Sequence, residues 1–167
     1  MAIRELYSNT LDENGDVEFH EIFETPTNYE EETYIVCRDN GMLDDIATNW
    51  TNYFAKDAYN VYSNNDVTFL FCNSDYDVRF YKNKILIFED KNAKSLFHYD
   101  YKYASIDEMR LLNNRSDFES SIKTAIQNCQ DEGIINRFIN APDDVFESKF
   151  DYYGSFSDKW VEIVNKL

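Results

Sequence analysis

The chain has 167 residues, enough for one domain with a core, and its 13 tyrosines and 13 phenylalanines exclude a disordered acidic tail. Its net charge of −16, from 32 acidic and 16 basic residues, argues against direct binding to nucleic acid or to an anionic membrane. No run approaches the roughly 18 apolar residues of a membrane span, and the N-terminus lacks the features of a signal peptide. We therefore expect one compact domain over residues 1–167 in the cytoplasm, either of the parent cell or of an infected host cell.

The negative charge is concentrated near the start of the chain. Residues 1–32, which we name the acidic segment, hold ten carboxylates and one base, Arg4, giving a net charge of −9. Residues 75–115, in contrast, have a net charge of about +1. A local excess of this size attracts basic protein surfaces at fast, salt-sensitive rates.

The first third of the chain predicts a hairpin, a strand and a helix. Residues 3–8 and 17–23 are strand-like, and Asn14-Gly15 between them is a strong hairpin signal. Residues 33–38 form a third β-rich run. Apolar residues then recur every three or four positions from Met42 to Ala58, which predicts an amphipathic helix.

The middle of the chain predicts a sheet. Val67–Cys72, Val78–Lys82 and Lys84–Glu89 are β-rich runs separated by short polar turns. Phe97–Tyr103 alternates apolar and polar residues, as a half-buried strand does. Its Phe97 and tyrosines are expected to pack against the sheet or core, although an aromatic face can also stack unpaired bases.

The last third predicts helices. Ser105–Leu112 is a short candidate, and Ser116 has capping-box form ahead of a longer helix. Residues 134–139 fit either a strand or a helical turn, and Ser157 caps a final helix. The fold class is α+β: a mainly antiparallel sheet (an N-terminal hairpin plus a central meander) with one inserted amphipathic helix and C-terminal helices.

A calcium loop is the first site to consider. Asp12, Asn14 and Asp16 match positions 1, 3 and 5 of an EF-hand loop, but Val17 stands at position 6 and Phe23 at position 12. The flanking residues are strand-like rather than helical. An acidic hairpin turn accounts for the same residues, so we expect no metal and no other cofactor there.

A second pattern lies between residues 75 and 91. Asp77 opens one strand, a tight turn follows, and an apolar strand delivers Glu89-Asp90-Lys91. This arrangement resembles the core of the PD-(D/E)xK nuclease superfamily, as does the order of helix, strands, helix and strand over residues 42–139. The resemblance implies that Asp77 and Glu89 hold Mg²⁺ while Lys91 polarises phosphate or orients water. An ordinary hairpin with Glu89 and Lys91 on one face explains the same residues.

Other catalytic patterns are absent from the sequence, which favours a non-enzymatic protein with no catalytic residues. Neither a phosphate-binding loop, a nucleophile elbow nor a zinc-protease motif occurs. His20 and His98 lie far apart on predicted strands and are expected to be satisfied surface or edge residues. Cys37, Cys72 and Cys129 form no CxxC pair and are expected to be buried, inert thiols in a reducing compartment.

The remaining candidate is the acidic segment itself, as a surface that binds a basic protein. Strand residues two apart rise about 6.6 Å, close to two axial steps of duplex DNA. In composition the chain resembles small acidic proteins of phages and mobile elements that inhibit restriction enzymes or CRISPR effectors, some as nucleic-acid mimics. Immunity proteins that neutralise basic toxin nucleases share this electrostatic logic. The expected partner-binding residues are Asp12, Glu13, Asp16, Glu18, Glu21, Glu24, Glu30, Glu31 and Glu32.

Overall fold

The computed structural model describes residues 53–55, 58–71 and 77–167, together with the single positions Thr10 and Thr48. Phe54–Leu167 forms one compact unit, named here the C-terminal unit. The predicted N-terminal hairpin and the predicted strand over residues 33–38 lie outside the described residues, so a single domain over residues 1–167 stays a prediction.

The predicted amphipathic helix is described only in part. Thr48 and Tyr53 are helical, but Phe54 forms an antiparallel bridge with Ile85 and Ala58 is not helical. The prediction that the helix reaches Ala58 was therefore wrong. Phe54 and Ala55 are both buried, and Ala55 packs with Leu70 and Tyr81 of the sheet. Phe54 therefore continued the helical pattern because it is a core residue and not because it is helical.

Within the described residues, five strands form one sheet in the order β1-β2-β5-β3-β4. The strands are β1 (Asn60–Ser63), β2 (Val67–Phe71), β3 (Asp77–Lys82), β4 (Ile85–Lys94) and β5 (Phe97–Tyr101). All neighbouring pairs are antiparallel except β3 and β5, which run parallel. β5 thus lies between the β1–β2 hairpin and the β3–β4 hairpin. The predicted mainly antiparallel sheet is confirmed.

Local side-chain and backbone chemistry closes the two hairpins. In the β1–β2 turn, the Asn64 side-chain oxygen accepts hydrogen bonds from the backbone N–H groups of Asp66 and Val67 at 2.8 and 2.7 Å. In the β3–β4 turn, Asn83 and Lys84 both have positive φ, 49° and 64°. Two successive residues in this region match the twist of tight hairpin turns.

Three helices follow the sheet: α1 (Arg115–Gln127), α2 (Glu132–Ile139) and α3 (Asp158–Val164). The α+β class is therefore confirmed. Residues 134–139, left open between strand and helix, belong to α2. Ser157 is the N-cap residue of α3 as predicted, although its hydroxyl makes no capping hydrogen bond and donates instead to the Cys129 carbonyl.

Two predictions near α1 need correction. The N-cap is Asn114 rather than Ser116, because the Asn114 side chain accepts from the Asp117 backbone N–H. Ser105–Leu112 is not a helix. Asp107 Oδ1 accepts from the backbone N–H groups of Met109 and Leu111, each at 2.8 Å, and so holds a turn closed by a bridge between Ile106 and Leu112.

The helices cover one face of the sheet. Phe118 of α1 stacks on Phe80 of β3 with ring centroids 4.3 Å apart. The predicted α1 stripe is confirmed, since all of its members are buried: Phe118, Ile122, Ala125, Ile126 and Cys129. Phe97 and Tyr99 are fully buried on the same face, so the packing role predicted for this aromatic strand is confirmed there. No helix within the described ranges is long and apolar enough to cross a membrane.

Candidate functional site

The residues predicted to bind a partner lie outside the part of the chain that the structure describes. This applies to the whole set: Asp12, Glu13, Asp16, Glu18, Glu21, Glu24, Glu30, Glu31 and Glu32. It applies equally to the calcium-loop pattern, to His20 and to Cys37 and Cys72. The role proposed for them therefore stays a prediction from sequence and charge.

The residues of the nuclease-like pattern do come together, on the β3–β4 hairpin. Arg79 Nε donates to Glu89 Oε1 at 2.8 Å, and Arg79 Nη2 lies 3.4 Å from Asp77 Oδ2. Lys91 Nζ is 3.4 Å from the other oxygen of Glu89. We name these four residues the Arg79 cluster. An arginine that the sequence pattern did not include is thus the centre that links the predicted residues.

Strand periodicity explains why these side chains meet. Val78 and Phe80 are buried in the core beneath the helices, so Asp77 and Arg79 face the opposite side of the sheet. Glu89 is the register partner of Arg79 on β4, which places the two side chains side by side. The pairing Arg79–Glu89 was therefore readable in principle from two antiparallel strands, once their register was known.

Burial makes this cluster more than an exposed ion pair. The Arg79, Asp77 and Glu89 side chains are only 17%, 19% and 22% exposed, whereas Lys91 is 72% exposed. Burial by itself would lower the pKa of Arg79, but Tyr81 and Glu89 outweigh it, and that pKa is raised. The guanidinium is thus permanently charged and compensates both carboxylates.

His98 of β5 lies beside the Arg79 cluster. Burial, with a smaller contribution from the positive charge of Arg79, lowers the pKa of His98 to about 4. The imidazole is therefore neutral at physiological pH, and its buried Nδ1 has no hydrogen-bond partner. The prediction that His98 is a satisfied surface or edge residue was wrong, because β5 is an interior strand of the sheet.

Asp100 of β5 and Lys84 of the β3–β4 turn form a second polar pair in the C-terminal unit. The Lys84 backbone N–H donates to Asp100 Oδ2 at 3.1 Å, and Lys84 Nζ lies 4.0 Å from the same oxygen. Burial raises the pKa of Asp100 and lowers that of Lys84, while their mutual attraction opposes both shifts. The other Asp100 oxygen, Oδ1, is buried and unpaired.

The Arg79 cluster differs from what the nuclease resemblance implies. Asp77 and Glu89, the implied metal ligands, are bound to a guanidinium instead. Across residues 53–55, 58–71 and 77–167, no three His, Cys, Asp or Glu side chains are grouped so that they could hold a metal ion. The implied final strand over residues 134–139 is helix α2. The arrangement fits a charge-compensated network that locks two strands.

Comparison of the chain with models of protein families, with curated proteins and with solved structures gave no match.

Two buried or half-buried polar residues of this unit, Arg79 and Glu147, were not predicted from the sequence. Arg79 had a usable signal, since it stands two positions from Asp77 and so shares its strand face. Glu147 had none, because its surroundings become clear only when the residues near Ser95 meet those near Phe146 in the fold.

Proposed function

We propose that this chain is a non-enzymatic binding protein whose acidic segment occupies a basic, nucleic-acid-binding surface of another protein. The observation that carries the proposal is the charge distribution: ten carboxylates and one arginine within residues 1–32 of a chain with net charge −16. Like charges in one segment repel each other, and a basic partner relieves that repulsion on binding.

The charge balance of the C-terminal unit supports this proposal. Residues 54–167 hold 19 acidic and 14 basic residues, so they too are negative. Several bases there already contact carboxylates of the same unit, namely Arg79, Lys84, Lys91, Lys94, Arg115, Lys159 and Lys166. Residues 54–167 therefore have no net positive charge that could neutralise the acidic segment.

The proposed mechanism is competition with nucleic acid. A groove that binds a phosphate backbone presents lysines and arginines, which accept a regular row of carboxylates as they accept phosphates. Partners of this kind are the CRISPR effectors and restriction enzymes of a host attacked by a phage or mobile element. Association would be electrostatically steered and would weaken as salt rises.

A cleavage assay tests the proposal directly. Purified CRISPR effectors, restriction enzymes and a basic toxin nuclease are each incubated with their substrates and increasing amounts of this protein. Inhibition of a defence nuclease that weakens between low and high salt is the expected result. Inhibition of the toxin nuclease alone would instead support the alternative of an immunity protein, and no inhibition at low salt would count against both.

A charge-matched pair of variants then locates the binding surface. The first replaces six carboxylates of the acidic segment by glutamine: Glu18, Glu21, Glu24, Glu30, Glu31 and Glu32. The control neutralises six exposed carboxylates of the C-terminal unit: Asp66, Glu108, Glu132, Asp143, Asp151 and Asp158. We expect the first to weaken inhibition on the order of a hundredfold or more, and the control to weaken it far less. Equal effects would show that only net charge matters.

A metal-dependent nuclease is the second candidate, because Asp77, Glu89 and Lys91 do share one sheet face. Single- and double-stranded DNA and RNA are incubated with this protein and Mg²⁺ or Mn²⁺. If the wild type and the control Glu108→Ala cleave a substrate and Glu89→Ala does not, the nuclease function would be established in place of the binding function. If the binding proposal is correct, neither the wild type nor the two variants cleave any of these substrates.

A further inference from the structure

Glu147 has a buried carboxyl group, and 2% of the residue's surface is exposed. It lies in the 3₁₀ helix Glu147–Lys149 and contacts the turn between β4 and β5. The Leu96 backbone N–H donates to both carboxylate oxygens, at 3.0 and 3.1 Å. The hydroxyl groups of Ser95 and Tyr99 both lie within hydrogen-bond distance of Oε1.

The charge of Glu147 depends on how many protons the hydrogen bonds around its carboxyl group require. Ser95 Oγ lies 2.6 Å from the Phe97 carbonyl oxygen and 2.6 Å from Glu147 Oε1. Together with the contact from Tyr99 to Glu147 this makes three short O···O hydrogen bonds, which need three protons. Ser95 and Tyr99 supply one each, and the carbonyl supplies none. A proton on the Glu147 carboxyl group would supply the third.

The surroundings of the carboxyl group agree with this count. Among the described residues, no lysine or arginine forms an ion pair with Glu147; the ionisable groups that face it are the phenols of Tyr99, from β5, and Tyr152, from the segment after the 3₁₀ helix. Ser95 and Leu96, from the β4–β5 turn, have no ionisable side chain. Burial raises the pKa of Glu147, and the hydrogen bonds offset only part of this effect.

We propose that Glu147 is a neutral carboxylic acid in the folded chain, donating its proton to Ser95 Oγ, and that it acts as a pH-sensitive latch. The latch joins the 3₁₀ helix to the β4–β5 turn, where the Phe146 backbone N–H also donates to the Lys94 carbonyl at 2.7 Å. Ionisation would leave an uncompensated charge in the core and weaken that junction. This inference is independent of the function proposed above.

The direction of the pH effect follows from proton binding. The unfolded chain loses the Glu147 proton near the ordinary glutamate pKa of 4.5, whereas the folded chain keeps it to higher pH. The folded state then binds more protons than the unfolded state, so this group's contribution to stability falls as pH rises above 4.5. The fall ends where the folded carboxyl itself ionises.

Denaturant unfolding of the wild type and Glu147→Gln between pH 5 and 8 tests the latch. Glutamine keeps one donor and one acceptor but has no proton to lose. We expect the unfolding constant of the wild type, relative to the variant, to rise by up to about tenfold per pH unit within this window. The exposed control Glu108→Gln is expected to give a pH-independent ratio.

Infrared and NMR spectra provide a second readout that does not depend on the variant's stability. The wild type at neutral pH should show the carbonyl band of a protonated carboxylic acid. With ¹³C-labelled glutamate, the Glu147 carboxyl shift should titrate well above the exposed glutamates. A Glu147 carboxyl that is ionised at pH 6, or a flat ratio of unfolding constants, would overturn the proposal.

Discussion

The carboxylates of this protein fall into two regions with different chemistry. In the C-terminal unit several have structural partners: Glu89 binds Arg79, Asp131 caps α2 through the Ile134 backbone N–H, and Glu147 lies within a buried hydrogen-bond network. In the acidic segment, ten carboxylates share a single arginine in the sequence. The same residue type thus stabilises a fold in one region and provides a surplus charge in the other.

Carboxylates of the first kind are expected to affect stability, and those of the second kind to affect recognition of other molecules. A carboxylate with a partner inside the fold contributes to folding, and its loss is measured in the free energy of unfolding. A carboxylate without a base of its own chain contributes mainly to the electrostatic field that other molecules experience. Substitutions in the two regions should therefore change two different observables.

The largest effect is expected from the core of the C-terminal unit. Phe118→Ala removes a ring that is 1% exposed and stacks on Phe80. We expect a loss of about 3–5 kcal/mol in unfolding free energy, from lost burial and the cavity that remains. Chemical denaturation measures it. Phe71→Ala, at a 46% exposed position of β2, is the matched control and should cost far less. Equal costs would contradict the assignment of the core.

The next effect is expected from Arg79. Arg79→Met keeps much of the side-chain volume but leaves Asp77 without its cation and Glu89 with only the exposed Lys91. We therefore expect a loss of about 1–3 kcal/mol in unfolding free energy. Adding Glu89→Gln removes one of the two half-buried charges that Arg79 compensated and should restore part of the stability. A double variant no more stable than the single one would mean that the Arg79–Glu89 pairing contributes little to the fold.

A smaller effect distinguishes the two residues that could cap α1. Asn114→Ala removes the acceptor of the Asp117 backbone N–H, and we expect a loss of about 1 kcal/mol in unfolding free energy. Ser116→Ala, at the exposed second position of the helix, should change it little. Thermal or denaturant unfolding of the two variants shows which substitution lowers the unfolding free energy more. A larger loss for Ser116→Ala would instead support Ser116 as the N-cap, as the sequence predicted.

The helix and strand classes could be predicted from the sequence because they depend on local periodicity. The α1 stripe ending at Cys129 and the alternation through Phe97 and Tyr99 each describe one face of one element. One error comes from a tertiary contact, and another comes from local side-chain hydrogen bonds. Phe54 continues a helical pattern but bridges Ile85, and Asp107 organises a turn inside a helix-like stretch.

The candidate site was less predictable than the fold, for a physical reason. The sequence pattern grouped Asp77, Glu89 and Lys91 by their spacing along two strands, and these residues do meet. Their chemistry depends on Arg79, whose orientation follows from the strand register and from the core beneath it. Strand order is a non-local property, and the entry of β5 beside β3 also brings His98 into this region.

The smallest change in stability is expected from the acidic segment, and it tests the comparison most directly. The six-glutamine variant of this segment removes surplus negative charge without removing any apolar residue, so the unfolding free energy of the C-terminal unit should stay constant or rise slightly at low salt. Denaturation followed by circular dichroism at low and high salt measures this. Because screening removes like-charge repulsion, any gain should vanish at high salt. A variant that unfolds easily would instead mean that these carboxylates have structural partners within the chain.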